Sequence, residues 1–102
     1  MTSTPSVRTC LWFDGKGEEA ARFYVSLLPG SAIEGVQRPA PDGPALIVEF
    51  SLAGAPYMIL NGGPRYTLTP AASISVSTAD QETTDRLWAA LTADGGRESR
   101  CG

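Results

Sequence analysis

Histidine is missing altogether from these 102 residues. With it go the commonest ligand of catalytic metal ions and the usual general base near neutral pH. Nucleophilic hydrolysis of the Ser-His-Asp or Cys-His kind is excluded on the same ground. Cysteine is scarce, and Cys10 and Cys101 stand at opposite ends with no close pair, which suggests neither a zinc knuckle nor a disulfide scaffold. Both read as reduced thiols, Cys10 as a small residue buried in a strand. No apolar run approaches the ~20 residues that span a bilayer, and the opening MTSTPSV lacks the basic and then apolar order of a signal peptide. The expected location is therefore the cytoplasm. Clustered positive charge is lacking as well: the net charge is -3, and Arg8, Arg22, Arg38, Arg65, Arg86, Arg97 and Arg100 are scattered. Nucleic acid and anionic membrane surfaces reward blocks of Lys and Arg, so neither is expected as a partner.

What is present suits one domain over residues 1–102, since 42% of the residues are hydrophobic and can build a modest single core. Val7 to Phe13 reads as a strand, with Val7, Leu11 and Phe13 on one side and Arg8, Cys10 and Trp12 on the other. From Gly17 to Leu28, the spacing of Ala20, Phe23, Tyr24, Leu27 and Leu28 predicts a helix. Glu18 and Glu19 suit its first turn, and Pro29-Gly30 ends it. Ser31 to Gln37 is a short strand, followed by the turn-rich RPAPDGP. In ALIVEFSLA, Leu46, Val48, Phe50 and Leu52 share one face and Ala45, Ile47, Glu49 and Ser51 the other; a tight turn at Ala53-Gly54 leads into Pro56 to Asn61 as a hairpin. GGPRYTLTP is a loop, and AASISVST, residues 71–78, alternates like another strand. Thr78-Ala79-Asp80-Gln81 matches a capping box opening a second helix, whose face is Thr84, Leu87, Trp88 and Leu91 and whose end is Asp94-Gly95-Gly96. The order is one complete βαβββ unit and then the first strand and helix of a second.

The turn Asp14-Gly15-Lys16-Gly17 raises the possibility of a phosphate site. A P-loop needs a longer glycine loop ending in Gly-Lys-Ser/Thr, and here Lys16 is followed by Gly17. A dinucleotide site needs three spaced glycines in front of a parallel sheet, which the hairpin at 45–61 does not supply. The turn is read as a strand-to-helix connection in which Asp14 or Gly15 serves the helix start. Among the residues of the expected hairpin only Glu49 is acidic, and one carboxylate does not hold a divalent ion against water. No metal and no cofactor is expected. A strand glutamate most often faces solvent, but Glu49 could point into a semi-enclosed surface suited to proton transfer. Trp12, Tyr57 and Asn61 offer flat apolar area and polar handles for the same pocket, and each could equally be core or hairpin structure.

CLWFDGKGEEAARFYVSLLPGS, YMILNGGP, TPAASISVS and TTDRLWAALTADGG resemble, in order and spacing, the PhnB-like branch of the vicinal oxygen chelate superfamily, from Thr9 to Gly102. That superfamily includes glyoxalase I, bleomycin-resistance proteins and extradiol dioxygenases. Members of the branch often carry the label 3-demethylubiquinone-9 3-methyltransferase. The resemblance implies an α+β, glyoxalase-like fold of paired βαβββ modules whose sheets curl around a cleft for a small molecule, frequently with a metal. Metal-using relatives place His, Gln or Glu on the first and last strands of each module; the matching strands here, Val7 to Phe13 and Tyr57 to Asn61, contain neither His nor carboxylate. Nothing looks like a methyl-donor loop. Relatives continue past Gly102, so the second module is expected to be truncated, or its wall supplied by a partner in a homodimer.

The resulting expectation is a metal-free protein binding a small organic molecule, lined by Trp12, Glu49, Tyr57 and Asn61. The alternative is an enzyme of lyase, isomerase or transferase type, with Glu49 as acid or base on a small carbonyl or quinone-like substrate. A third possibility is a non-functional fragment or an assembly subunit.

Overall fold

A computed structural model of the chain describes residues 6–93 and 96. The elements run β1 (Thr9–Phe13), α1 (Gly17–Leu27), β2 (Ala32–Gln37), β3 (Ile47–Leu52), β4 (Ala55–Asn61) and α2 (Gln81–Thr92). The expected βαβββ order over the first 61 residues is therefore present. The chain falls into two compact units, residues 1–72 and 73–102.

In the first unit the four strands form one sheet in the order β1-β4-β3-β2. β1 pairs parallel to β4, with Leu11 opposite Ile59; β3 and β4 form the expected hairpin, with Phe50 opposite Tyr57. Its two-residue turn has positive φ at both central positions, 49° at Ala53 and 90° at Gly54, the geometry that matches the twist of paired strands. The Ala53 N–H donates to Ser31 Oγ at 2.9 Å, which ties the turn to the start of β2. β2 pairs antiparallel to β3 with a bulge between Ile33 and Gly35. The extra residue is Glu34.

Strand alternation divides the sheet into two faces. Leu11, Val48, Phe50, Leu52 and Ile59 lie on one, are all buried, and form the core together with Ala21 of α1 and Ala45. Phe50, Ile59 and Val48 are completely enclosed, each worth about 1.5–3 kcal/mol of apolar burial. The alternation fails at one expected position. Leu46 is 40% exposed while Ala45 is buried, because the Asn61 side chain takes the Ala45 carbonyl and regular β3 begins only at Ile47.

Helix α1 covers that face through its smallest residues. Gly17 and Ala21 are its buried positions, with Tyr24 and Leu28 half-buried on the same line, whereas Phe23, expected on the apolar face, is 42% exposed. Small side chains let the helix approach the strands closely. A Cβ at Gly17 would lie 2.3 Å from Ile59 Cγ2, so no larger residue fits. Cys10, expected to be buried, is exposed because it points to the opposite face, which α1 does not cover.

The second unit contains α2. Its cap is Asp80, whose carboxylate accepts the Thr83 N–H at 2.8 Å, rather than Thr78 as the capping-box reading predicts. Thr78 instead hydrogen-bonds the Thr84 hydroxyl. The bonds from Thr83 hold the Asp80 carboxyl below its ordinary range. None of the residues of α2 is buried. The expected strand at 71–78 is not formed among the described residues: Ser73, Ser75, Val76 and Ser77 are exposed and the segment joins no ladder. Alternation alone cannot make a strand without a neighbour to accept its hydrogen bonds. Asp94, Gly95 and the thiol of Cys101 lie outside the described residues.

Candidate functional site

The turn that raised the question of a phosphate is a connection. Lys16 is the N-cap of α1 and makes no side-chain capping bond; neither Asp14 nor Gly15 takes that role. The cap comes from across the sheet. Asn61 Oδ1 accepts the Gly17 N–H at 2.9 Å, while its Nδ2 donates to the Ala45 carbonyl at 2.9 Å. One side chain thereby closes the helix start and fixes the entry to β3. A depression of about 210 Å3 lies beside this clamp, lined by Asp14, Gly15, Pro39, Pro44, Ala45, Leu46, Asn61 and Gly63. It is smaller than the ~300–1,000 Å3 usual for small-molecule sites.

The four residues singled out from the sequence divide between the two faces. Tyr57 and Asn61 share the helix side. Tyr57 stacks on Phe50 with centroids 5.7 Å apart, extending the core, and Asn61 is the clamp just described. Trp12 and Glu49 share the open face. They flank β4 there, Trp12 beside Leu60 and Glu49 beside Met58, and Glu49 has Ile47 and Ser51 as its strand neighbours on that side, as the alternation predicts.

Trp12 is held in place. Its Nε1–H donates to the Gly63 carbonyl at 2.8 Å, and Tyr66 meets the ring edge-on with centroids 4.8 Å apart. A Cβ at Gly62 would fall 2.2 Å from the indole ring, so only glycine allows the chain to pass there. Arg65 lies over the Tyr66 ring, 5.5 Å from its centroid. The loop after β4 thus forms a wall at the Trp12 end of the open face. Between the two ends run the side chains of Ile47, Met58 and Leu60, half-buried, and the exposed Cys10.

The other end is charged, and its organising residue is one that reasoning from the sequence passed over. Arg8 Nε meets Glu49 Oε2 at 3.0 Å, and Arg8 Nη1 donates to Glu34 Oε1 at 2.7 Å and toward the carbonyls of Phe50 and Tyr57 at 3.3 and 3.2 Å. The bulge in β2 supplies Glu34 to this group. Arg8 immediately precedes β1 and stands at a spacing of two from Cys10 and four from Trp12, and that period-two relation was the signal available in the sequence. On the solvent side of α1, Arg38 and Arg22 both bond Glu18, at 2.7 and 2.9 Å, and hold its carboxyl below the ordinary range. That group ties α1 to the β2–β3 connection and faces away from the open sheet.

With this geometry in view, the sequence profile of the 3-demethylubiquinone-9 3-methyltransferase family matches residues 5–102. The chain belongs to this PhnB-like family. A solved PhnB protein from Bacillus cereus, which bears the same methyltransferase label, is 32% identical, with a TM-score of 0.78 over 88% of this chain and 75% of that one. A protein from Staphylococcus aureus is 26% identical, with a TM-score of 0.50 over 89% of this chain and 70% of that one. No curated protein matches the chain. The likeness to the Bacillus cereus structure fits the sheet and α1 as a glyoxalase-like module.

The metal that some proteins of this fold use can be tested against this PhnB-like chain's own donors. Among the described residues no three of His, Cys, Asp and Glu come together as a metal site requires, and the two carboxylates on the open face already share a guanidinium. The donor set does not fit a divalent ion. Among the described residues no helix is long and apolar enough to cross a membrane.

Proposed function

We propose that this PhnB-like chain is a cytoplasmic, metal-free small-molecule-binding protein of the vicinal oxygen chelate type, and that its ligand lies on the open face of the sheet. The observation that carries this reading is the makeup of that face. Trp12, Ile47, Met58 and Leu60 give an apolar floor, and Arg8, Glu34 and Glu49 give a polar end, the combination that orients a small ligand. Trp12 and Glu49 are the proposed contacts. Tyr57 and Asn61 act beneath them, in the core and at the helix start.

An open face of this kind needs an opposing wall. Edge strands β1 and β2 and the half-buried apolar floor favour a second copy of the chain as that wall. Light scattering at micromolar concentration should give twice the mass of one chain, and a monomer throughout would remove the homodimer from the reading.

Binding is tested with the neutral fluorescent probe N-phenyl-1-naphthylamine. Trp12→Ala should weaken its binding about tenfold by removing the largest apolar surface, whereas unchanged affinity would move the site elsewhere. The second reading, proton transfer by Glu49 on a small carbonyl compound, predicts that Glu49→Gln abolishes turnover while the neutral probe still binds.

A further inference from the structure

We propose that the ligand of the open face carries a positive charge: a small molecule with a flat apolar body and an ammonium-like end that docks at Glu34 and Glu49. This rests on the reading of that face as the ligand site. The charge balance supplies the argument. One guanidinium, Arg8, serves two carboxylates, so the group has a formal charge of -1. Its parts are also layered. The Arg8 side chain is 20% exposed, while Glu34 and Glu49 are 42% and 39% exposed. The cation is drawn down against the Phe50 and Tyr57 carbonyls, and the carboxylates stand outward.

Among the described residues, acceptors therefore outnumber donors at this end. Against the five N–H groups of Arg8 stand four carboxylate oxygens, each with two lone pairs, and two main-chain carbonyls. An incoming N–H donor with positive charge would fill the surplus, while a carboxylate or phosphate would meet two charges of its own sign. The geometry also sets a length. Arg8, just before β1, and Trp12 within it are four residues apart, about 13 Å at the strand rise. A ligand with its charge at the carboxylates and an aromatic body about the size of a naphthalene ring would lie over Met58 and Leu60 toward Trp12. Among the described residues, the cation Arg65 sits on the loop at the Trp12 end, next to Tyr66.

The test uses three probes that share one ring system and differ in charge: 1-naphthylmethylammonium, 1-naphthalenemethanol and 1-naphthaleneacetate. Each is titrated at low salt into the full chain labelled with nitrogen-15. The Trp12 indole N–H signal is followed, assigned by its persistence in Trp88→Phe. The ammonium should bind about fivefold more tightly than the alcohol, and the acetate more weakly than both, for one unit charge in partly exposed surroundings. In the double variant E34Q/E49Q that order should collapse, while an amide spectrum as well dispersed as that of the unsubstituted chain reports an intact fold. Equal binding of all three, tighter binding of the acetate, or an order that survives in the double variant overturns the charge inference and leaves the open face as the site. If none of the three moves the indole signal, as when a second copy lies flat on the face, the site reading fails and the inference with it.

Discussion

The two faces of the four-stranded sheet are built from the same strands, residue by alternate residue, yet they have different physical roles. The face beneath α1 carries Leu11, Val48, Phe50, Leu52 and Ile59, all buried, and its polar side chain, Asn61, has both ends bonded. The opposite face carries Cys10, Trp12, Ile47, Met58 and Leu60, none of them buried, beside an ion group with carboxylates turned outward. Burial on the first face supplies stability. Incomplete burial on the second leaves apolar area and charge exposed. Residues that look alike in sequence separate by this criterion: Tyr57 and Trp12 are both strand aromatics near β-sheet ends, but one completes a core stack and the other forms a surface wall.

That contrast can be broken most sharply at Phe50. Phe50→Ala removes a fully enclosed ring and should lower stability by about 3–5 kcal/mol in chemical denaturation. Met58→Ala on the open face should cost less than about half as much, since its side chain is only partly covered. Equal losses would mean that both faces are core. Next in size is Asn61→Ala, which leaves the Gly17 N–H and the Ala45 carbonyl without their partner and should cost about 2 kcal/mol. Amide exchange in the first turn of α1 should speed up in the same variant; unchanged exchange there would show that the clamp is dispensable.

On the open face, Trp12→Phe keeps an aromatic ring and removes the N–H that meets the Gly63 carbonyl, for an expected loss of about 1 kcal/mol. A loss as large as that of Asn61→Ala would place Trp12 in the scaffold. The smallest effect concerns acid. The Glu18 carboxyl is lowered from its ordinary value of 4.5 by its bonds to Arg38 and then Arg22. Its contribution is therefore present above pH 4.5 and is lost as the pH falls through the lowered value. Because the group lies at the surface, Glu18→Gln should reduce stability by under about 1 kcal/mol near neutral pH, with the difference from wild type vanishing in strong acid. Thermal melts of both proteins across that range give the measurement, and a gap that widens in acid would reverse the sign.

Much of this arrangement could be read from local pattern. The hairpin was legible because Val48, Phe50 and Leu52 alternate with Ile47, Glu49 and Ser51 up to a turn at Ala53-Gly54. The face shared by Cys10 and Trp12 was legible by the same period of two. The errors fall where a residue's role depends on something distant in the chain. Cys10 was expected inside because cysteine is so often a small core residue, but the covering helix lies on the other side of β1. Phe23 was expected to pack because large apolar residues usually do, but the helix meets the sheet through Gly17 and Ala21. Asn61 gave no sign of being a helix cap, since its partner is 44 residues away. The segment at 71–78 has the alternation of a strand, and alternation carries no information about whether a paired neighbour is present.

Periodicity along the chain was sufficient to determine that strands, helix and hairpin would form in this order, because each depends on dihedral preference and on apolar residues recurring within a few positions. The absence of histidine likewise shaped, from the sequence alone, which chemistries were expected. Tertiary structure decided which side of each strand became core, where Asn61 and Arg8 found their partners, and which aromatic faced outward. Those outcomes depend on which surfaces meet, and short-range preference does not encode the meeting of residues forty positions apart.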